Sequence, residues 1–130
     1  MIIGLGCDIV EVQRIEALLR KGHDGFVRRV LTPLEISEYE RRSDRGAPRG
    51  ILYVATRFAA KEAMSKAIGT GIGESFSFQD VSILNQPSGK PVMEYSERLA
   101  EWLNAQSAMA EVSIADETNY AVATVIIFRT

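Results

Sequence analysis

A chain of 130 residues with 46% hydrophobic and 25% charged side chains has the composition of an ordinary globular protein, large enough for one hydrophobic core. No apolar run approaches about 18 residues, which excludes a transmembrane helix, and the start lacks the basic and apolar regions of a signal peptide. One cysteine cannot close an internal disulfide, and the cytoplasm is the expected compartment.

The net charge of −2 is unevenly spread. Residues 1–66 hold 12 basic and 9 acidic side chains, a net +3, against 3 and 8 in residues 67–130, a net −5. The basic excess of the first half is mostly arginine (Arg14, Arg20, Arg28, Arg29, Arg41, Arg42, Arg45 and Arg49, with Lys21). Arginine's planar fork suits carboxylates and phosphates. A nucleic-acid binder would be more basic overall and carry exposed aromatics among its charges, so an acidic protein partner fits better.

Met1 to Val10 alternates with period 2, which predicts a strand. Ile3, Leu5, Cys7 and Ile9 share one face, and Gly4, Gly6 and Asp8 share the other. By that parity Cys7 is expected to be a buried small hydrophobe rather than a thiol nucleophile. Two glycines beside an acid leave bare backbone that admits a close neighbour or a ligand. Two readings of Asp8 stay open here, a site residue or the cap of the next helix.

Val12, Ile15, Leu18 and Leu19 predict a short amphipathic helix ending near Lys21-Gly22. His23 follows in a polar loop and reads as a surface residue. Thr32-Pro33-Leu34-Glu35 is a helix start with proline in the first turn and a capping box, and that helix runs to about Arg42. Ser43 to Gly50, with two glycines and a proline, reads as a mobile loop.

An Ala-rich helix is expected over about Ile51 to Ile68, ended by Gly69. Ala59, Ala60, Ala63, Met64 and Ala67 form its apolar face, while Lys61, Glu62, Ser65 and Lys66 share the opposite arc. Spacing alone favours a solvated face with a Glu62–Lys66 pair, worth about 0.3–0.5 kcal/mol, over a site. Val81 to Leu84 reads as a strand, Pro87 to Pro91 as a turn, and Tyr95, Leu99, Trp102 and Leu103 as a fourth helix. Val112–Asp116 and Tyr120–Phe128 read as a closing hairpin whose apolar second strand is central. The order argues for an α+β fold, residues 1–130 forming one domain with an antiparallel sheet and packed helices.

Four pieces stand in register along nearly the whole chain. They are Gly4-x-Gly6-x-Asp8-Ile9 with Arg14-Ile15, then Arg57-Phe58-Ala59-Ala60-Lys61-Glu62-Ala63 running into Lys66-Ala67-x-Gly69-Thr70-Gly71, then Gly89-Lys90-Pro91, and Val112 to Glu117 with Tyr120-Ala121. Together they resemble the holo-[acyl-carrier-protein] synthase family, the small bacterial 4′-phosphopantetheinyl transferases. The resemblance implies that fold, a homotrimer with active sites between subunits, and a place in fatty acid biosynthesis. The implied reaction moves 4′-phosphopantetheine from coenzyme A to a serine of apo acyl carrier protein, releasing adenosine 3′,5′-bisphosphate.

The resemblance implies Mg²⁺ on Asp8 and Glu62, a pair whose hard oxygens suit that ion, while one histidine and one cysteine make no zinc set. Asp8, Glu62 and Lys66 are the expected catalytic residues, Lys66 supporting the leaving phosphate and Glu62 receiving the serine proton. Arg57 and Lys61 are assigned to the nucleotide's phosphates, with Lys66, Gly69, Thr70 and Gly71 beside the same ligand. Arg14 and Ile15, with Arg20, Lys21, Arg28 and Arg29, are the expected docking face for acyl carrier protein. Phe26 adds an apolar contact there or belongs to the core. Some members carry Ser-Ile-Ser-His where this chain has Ser113-Ile114-Ala115-Asp116, so no role of that histidine transfers. The alternatives are a coenzyme A or carrier-protein binding module, and a Mg²⁺-dependent nucleotide pyrophosphohydrolase.

Overall fold

The computed structural model describes residues 1–130. The elements run β1 (Ile2–Glu11), α1 (Val12–Val30), α2 (Pro33–Ser43), α3 (Ala47–Ile68), a 3-10 turn (Phe78–Asp80), β2 (Val81–Asn85), β3 (Pro91–Tyr95), α4 (Glu97–Ala105), β4 (Ala108–Asp116) and β5 (Tyr120–Arg129). The fold is α+β. One antiparallel sheet has the order β1-β5-β4, so β5 is central as its apolar run predicts, and β2 and β3 form a second sheet. Helix α3 is the hub: Val54, Ala55, Ala59, Ala63 and Met64 are fully buried among the core residues of β5, Ala121, Ala123, Val125 and Ile127.

Four expectations about elements need correction. Helix α1 does not end at Gly22: extended backbone there (φ −162°, ψ 65°) kinks it, and the helix resumes to Val30. Val27 and Val30 point inward from that second stretch and give it a buried face. Its terminal carbonyls, orphaned as at any helix end, are met from outside. Gln79 Nε2 donates to those of Arg28, Arg29 and Leu31, and Lys61 Nζ to that of Val30.

Helix α3 begins at Ala47 rather than Ile51, so most of the expected mobile loop is helix. Pro48 sits in the first turn, where its missing N–H costs nothing. Gly50 is a packing glycine, since a Cβ there would lie 2.1 Å from Ser43 Oγ on α2. Tyr95 belongs to the unforeseen strand β3, paired with Val81, and α4 starts after Ser96, whose side chain caps it.

The parity of β1 is as expected, but the buried face is the other one. Leu5 and Ile9 are 65% and 63% exposed and Cys7 is exposed, whereas Gly6 and Val10 are buried. Cys7 is therefore no core residue. The helix packs where glycine lets it come closest, and the apolar side is left uncovered. The Thr32 capping box is present as read: Thr32 Oγ1 accepts from Glu35 N–H, and Glu35 Oε1 accepts from Thr32 N–H.

Candidate functional site

Gly4 and Gly6 of β1 face α3 so closely that side chains there are impossible without movement. A Cβ at Gly6 would stand 1.9 Å from the carbonyl oxygen of Ala63, and one at Gly4 would stand 2.2 Å from that of Ala67. Two strand residues advance about 6.6 Å and four helix residues about 6 Å, so the two contacts keep step. The next residue of this series on β1 is Asp8. Lys66 Nζ donates to Asp8 Oδ1 and to the Cys7 carbonyl, both at 3.0 Å. The expected Glu62–Lys66 pair does not form, because Lys66 crosses to the strand instead.

Glu62 is half-buried, and its carboxylate has neither an ion-pair nor a hydrogen-bond partner. Burial and then the Asp8 charge push its carboxyl above the ordinary range, against the pull of Lys66 and Arg14. Lys66 pairs with Asp8 and leaves the Glu62 carboxylate without a bonded cation. That donor set suits a hard cation taking one or two carboxylates and filling its shell with water and substrate phosphate oxygens. No cluster of three or more His, Cys, Asp or Glu offers an all-protein metal cage.

Lys61 requires correction. It is completely buried, and its ammonium donates to Glu35 Oε1 (2.5 Å), the Val30 carbonyl (2.7 Å) and the Phe78 carbonyl (2.8 Å). All three of its protons are used, so nothing remains for a nucleotide phosphate. Desolvation lowers the Lys61 pKa, and Glu35 opposes that shift. Lys61 is a structural cation that joins α3 to α1, α2 and the 3-10 turn. Ser65 is likewise buried, its hydroxyl donating to the Glu62 carbonyl. The polar arc read from the helical wheel is therefore split, with only Glu62 and Lys66 on the accessible side.

Arg57 is only 3% exposed, yet it has no carboxylate partner. Its Nε donates to the Ile83 carbonyl (3.0 Å), Nη1 to Thr56 Oγ1 (3.0 Å) and Nη2 to Asn85 Oδ1 (2.5 Å). The guanidinium also lies 4.2 Å from the Tyr53 ring centroid. Glu35 Oε2 accepts from the N–H of Ile83, so both backbone groups of that residue are held by helix side chains. A buried cation lacking a counter-ion is costly, and burial draws the Arg57 pKa down.

That unpaired cation lines a cleft of about 530 Å³ with Arg41, Arg42, Arg45 and Arg49. Glu38 accepts from Arg41 and Arg42, leaving Arg45, Arg49 and Arg57 unpaired by carboxylate. Tyr53, Thr56 and Asn85 complete one wall, and Asp116 is the acidic residue of the lining. The arginine excess foreshadows this cleft, but Tyr53 and Asn85 carried no signal in the sequence. Asp8, Glu62 and Lys66 are not among the residues lining the arginine cleft.

The Gly69 reading as a helix cap holds, with φ +98° and its N–H on the Ser65 carbonyl. The N–H of Gly71 turns to the same carbonyl, and Thr70 Oγ1 bonds the Gly71 carbonyl. Two of the loop's N–H groups thus serve the helix. Arg14, Arg20, Lys21, Arg28 and Arg29 are all exposed on α1, whereas Ile15 is fully buried and cannot dock a partner. Arg14 lies over the Phe58 ring (5.9 Å), and Phe58 stacks on Phe26 and Phe78, so Phe26 packs against the core. His23 is exposed as expected and bonds the Tyr39 hydroxyl at 2.7 Å.

An acidic pair beside a lysine, on a strand–helix contact shaped by glycine, accompanies an arginine cleft whose chemistry suits phosphate. Residues 4–125 match the family model of the 4′-phosphopantetheinyl transferase superfamily, and the chain belongs to that family. It is 48% identical over 127 residues to the holo-[acyl-carrier-protein] synthase of Herminiimonas arsenicoxydans, covering 98% of each chain. Among solved structures, the Neisseria meningitidis holo-[acyl-carrier-protein] synthase superposes with a TM-score of 0.89 at 38% identity, over 99% of this chain and 100% of that one. The Bacillus anthracis enzyme, solved in complex with coenzyme A (3′,5′-ADP), gives 0.83 at 38% identity, over 100% and 99%.

Proposed function

We propose that Asp8, Glu62 and Lys66 carry out, and the arginine cleft anchors, a single phosphopantetheinyl transfer. The chain transfers 4′-phosphopantetheine from coenzyme A to a serine of apo acyl carrier protein, giving holo acyl carrier protein and adenosine 3′,5′-bisphosphate. Full-length likeness to synthases favours this over a binding module or a pyrophosphohydrolase. The product serves fatty acid biosynthesis in the cytoplasm.

Phosphoryl transfer asks mainly for positioning and charge neutralisation. Asp8 and Glu62 would hold Mg²⁺, and the ion would supply charge neutralisation for the substrate's pyrophosphate. Lys66 supports the oxygen of the leaving phosphate. Glu62 accepts the proton of the incoming serine hydroxyl. Arg57 takes the 3′-phosphate. The observation that carries this is a buried guanidinium that pairs with no carboxylate and lines that cleft.

The enzyme works as a homotrimer with active sites between subunits. Supporting this, Ile2, Leu5, Ile9, Met109 and Tyr120 stand exposed, and Asp8 and Glu62 do not line the arginine cleft of the same chain. Arg14, Arg20, Lys21 and Arg28 meet the acidic carrier.

The test is incubation with coenzyme A, Mg²⁺ and apo acyl carrier protein, read by intact mass. A phosphopantetheine adduct on the carrier is expected, and chelation of Mg²⁺ or Glu62→Gln should abolish it. An unmodified carrier with every component present overturns the transferase reading. Bisphosphate release without carrier would instead indicate a hydrolase.

A further inference from the structure

We infer that Asn85 is a positioning residue that sets the arginines of the cleft for the nucleotide's phosphate; this rests on the reading of that cleft given above. Asn85 closes β2, and its side-chain amide is committed at both ends. Nδ2 donates to the Gly89 carbonyl at 3.0 Å, across the turn that joins β2 to β3. That bond fixes which way the amide faces and leaves Oδ1 as the acceptor. Oδ1 takes Nη2 of Arg57 at 2.5 Å and, more loosely, Nη2 of Arg42 at 3.4 Å. One neutral oxygen therefore gathers guanidinium groups from two helices onto the wall of one cleft.

The count of donors shows why this matters. A guanidinium has five N–H groups, and three of those on Arg57 are spent, one each on Nε, Nη1 and Nη2. By count each terminal nitrogen keeps one N–H for a further acceptor such as a phosphate oxygen. The Ile83 carbonyl holds Nε, Thr56 holds one terminal nitrogen, and Asn85 holds the other. A carboxylate at position 85 would grip the arginines harder but cancel the charge the phosphate needs. An amide oxygen orients without neutralising. Asn85 is exposed, so its loss removes this alignment without opening the core.

The experiment uses the intact enzyme and compares Asn85→Ala, Arg57→Ala and the double variant. Kinetics with coenzyme A are read beside calorimetric binding of adenosine 3′,5′-bisphosphate. Asn85→Ala should raise KM for coenzyme A and weaken bisphosphate binding about tenfold, the scale of one hydrogen bond to a charged group, with kcat changed less than about twofold. Because Asn85 acts through Arg57, its removal from the Arg57→Ala enzyme should change KM less than about twofold further. Wild-type KM in Asn85→Ala, or fully additive losses in the double variant, overturns the inference while leaving the cleft reading intact. Wild-type bisphosphate affinity in Arg57→Ala overturns the cleft reading and this inference with it.

Discussion

Gly6 and Ala63 approach so closely that a methyl group on Gly6 would meet the Ala63 carbonyl oxygen at 1.9 Å, a backbone atom that cannot step aside. This contact sets the distance between the strand bearing Asp8 and the helix bearing Glu62. Gly6→Ala should push α3 away, destabilise the fold by about 1–3 kcal/mol as overpacking does, and lower kcat more than it raises KM. Urea unfolding and steady-state kinetics read the two effects. Gly22→Ala, where no atom lies within 4 Å and φ is −162°, should cost little. Equal behaviour of the two variants would remove the spacing role from Gly6.

The buried Lys61–Glu35 pair gives a stability prediction of a different kind. Removing one partner strands a charge in the core, and Lys61→Met or Glu35→Ala should each cost about 3–5 kcal/mol. Replacing both by apolar residues of similar volume should recover much of that loss. Denaturant midpoints of the three variants test it, and a mild effect of Lys61→Met would argue that the ammonium is neutral or hydrated.

Asp80 should govern acid stability. Arg98 binds both of its carboxylate oxygens, at 2.8 and 2.5 Å, and Ser96 and the Ser77 N–H add further bonds. Arg98 foremost, with those bonds, holds its carboxyl well below the ordinary range, against desolvation. A depressed carboxyl contributes stability above the unfolded value of about 3.9, and that contribution is lost as pH falls through the folded value. Asp80→Asn should lower stability at pH 7 and flatten its decline below about pH 4. Urea midpoints between neutral and acid pH would show parallel curves if this is wrong.

Arg14 and Arg28 separate docking from chemistry. Both are exposed on α1, but only Arg14 acts on Glu62 electrostatically. Arg28→Glu should raise KM for the carrier alone, more so at low salt, because like charge opposes encounter. Arg14→Glu should raise that KM and also lower kcat. Unchanged carrier kinetics in both variants would move the docking face elsewhere.

The uncovered sheet face predicts association. Leu5 pairs with Ile126 and Ile9 with Val122 on that side, with Cys7 and Thr124 between them. Leu5→Asp should convert the assembly to single chains in light scattering and make Cys7 react faster with a maleimide. A wild-type protein that is monomeric at micromolar concentration would refute the assembly.

Much of this architecture was written in local signals. The Thr32–Glu35 box, the Gly69 stop and the glycine–acid alternation of β1 each act over a few residues, so spacing reveals them. What spacing could not reveal depends on distant partners. Lys61 looks like a surface lysine until Glu35, Val30 and Phe78 converge on it. Gly50 looks like a loop residue until Ser43 is found against it. The cap that Gln79 provides for α1 spans 48 residues to Leu31. Which side of β1 faces inward was likewise decided by where α3 could approach, not by hydrophobicity.

The double hold on Ile83 has a consequence beyond the nucleotide cleft. Strand β2 has β3 on one side only, and a strand with a free margin displays N–H and C=O groups that can recruit a strand from another molecule. Glu35 and Arg57 occupy both groups of the residue at the middle of that margin. The polar side chains that tie helix to sheet therefore also act as a guard against edge-to-edge aggregation, and a chain that loses Glu35 loses that guard together with its buried ion pair.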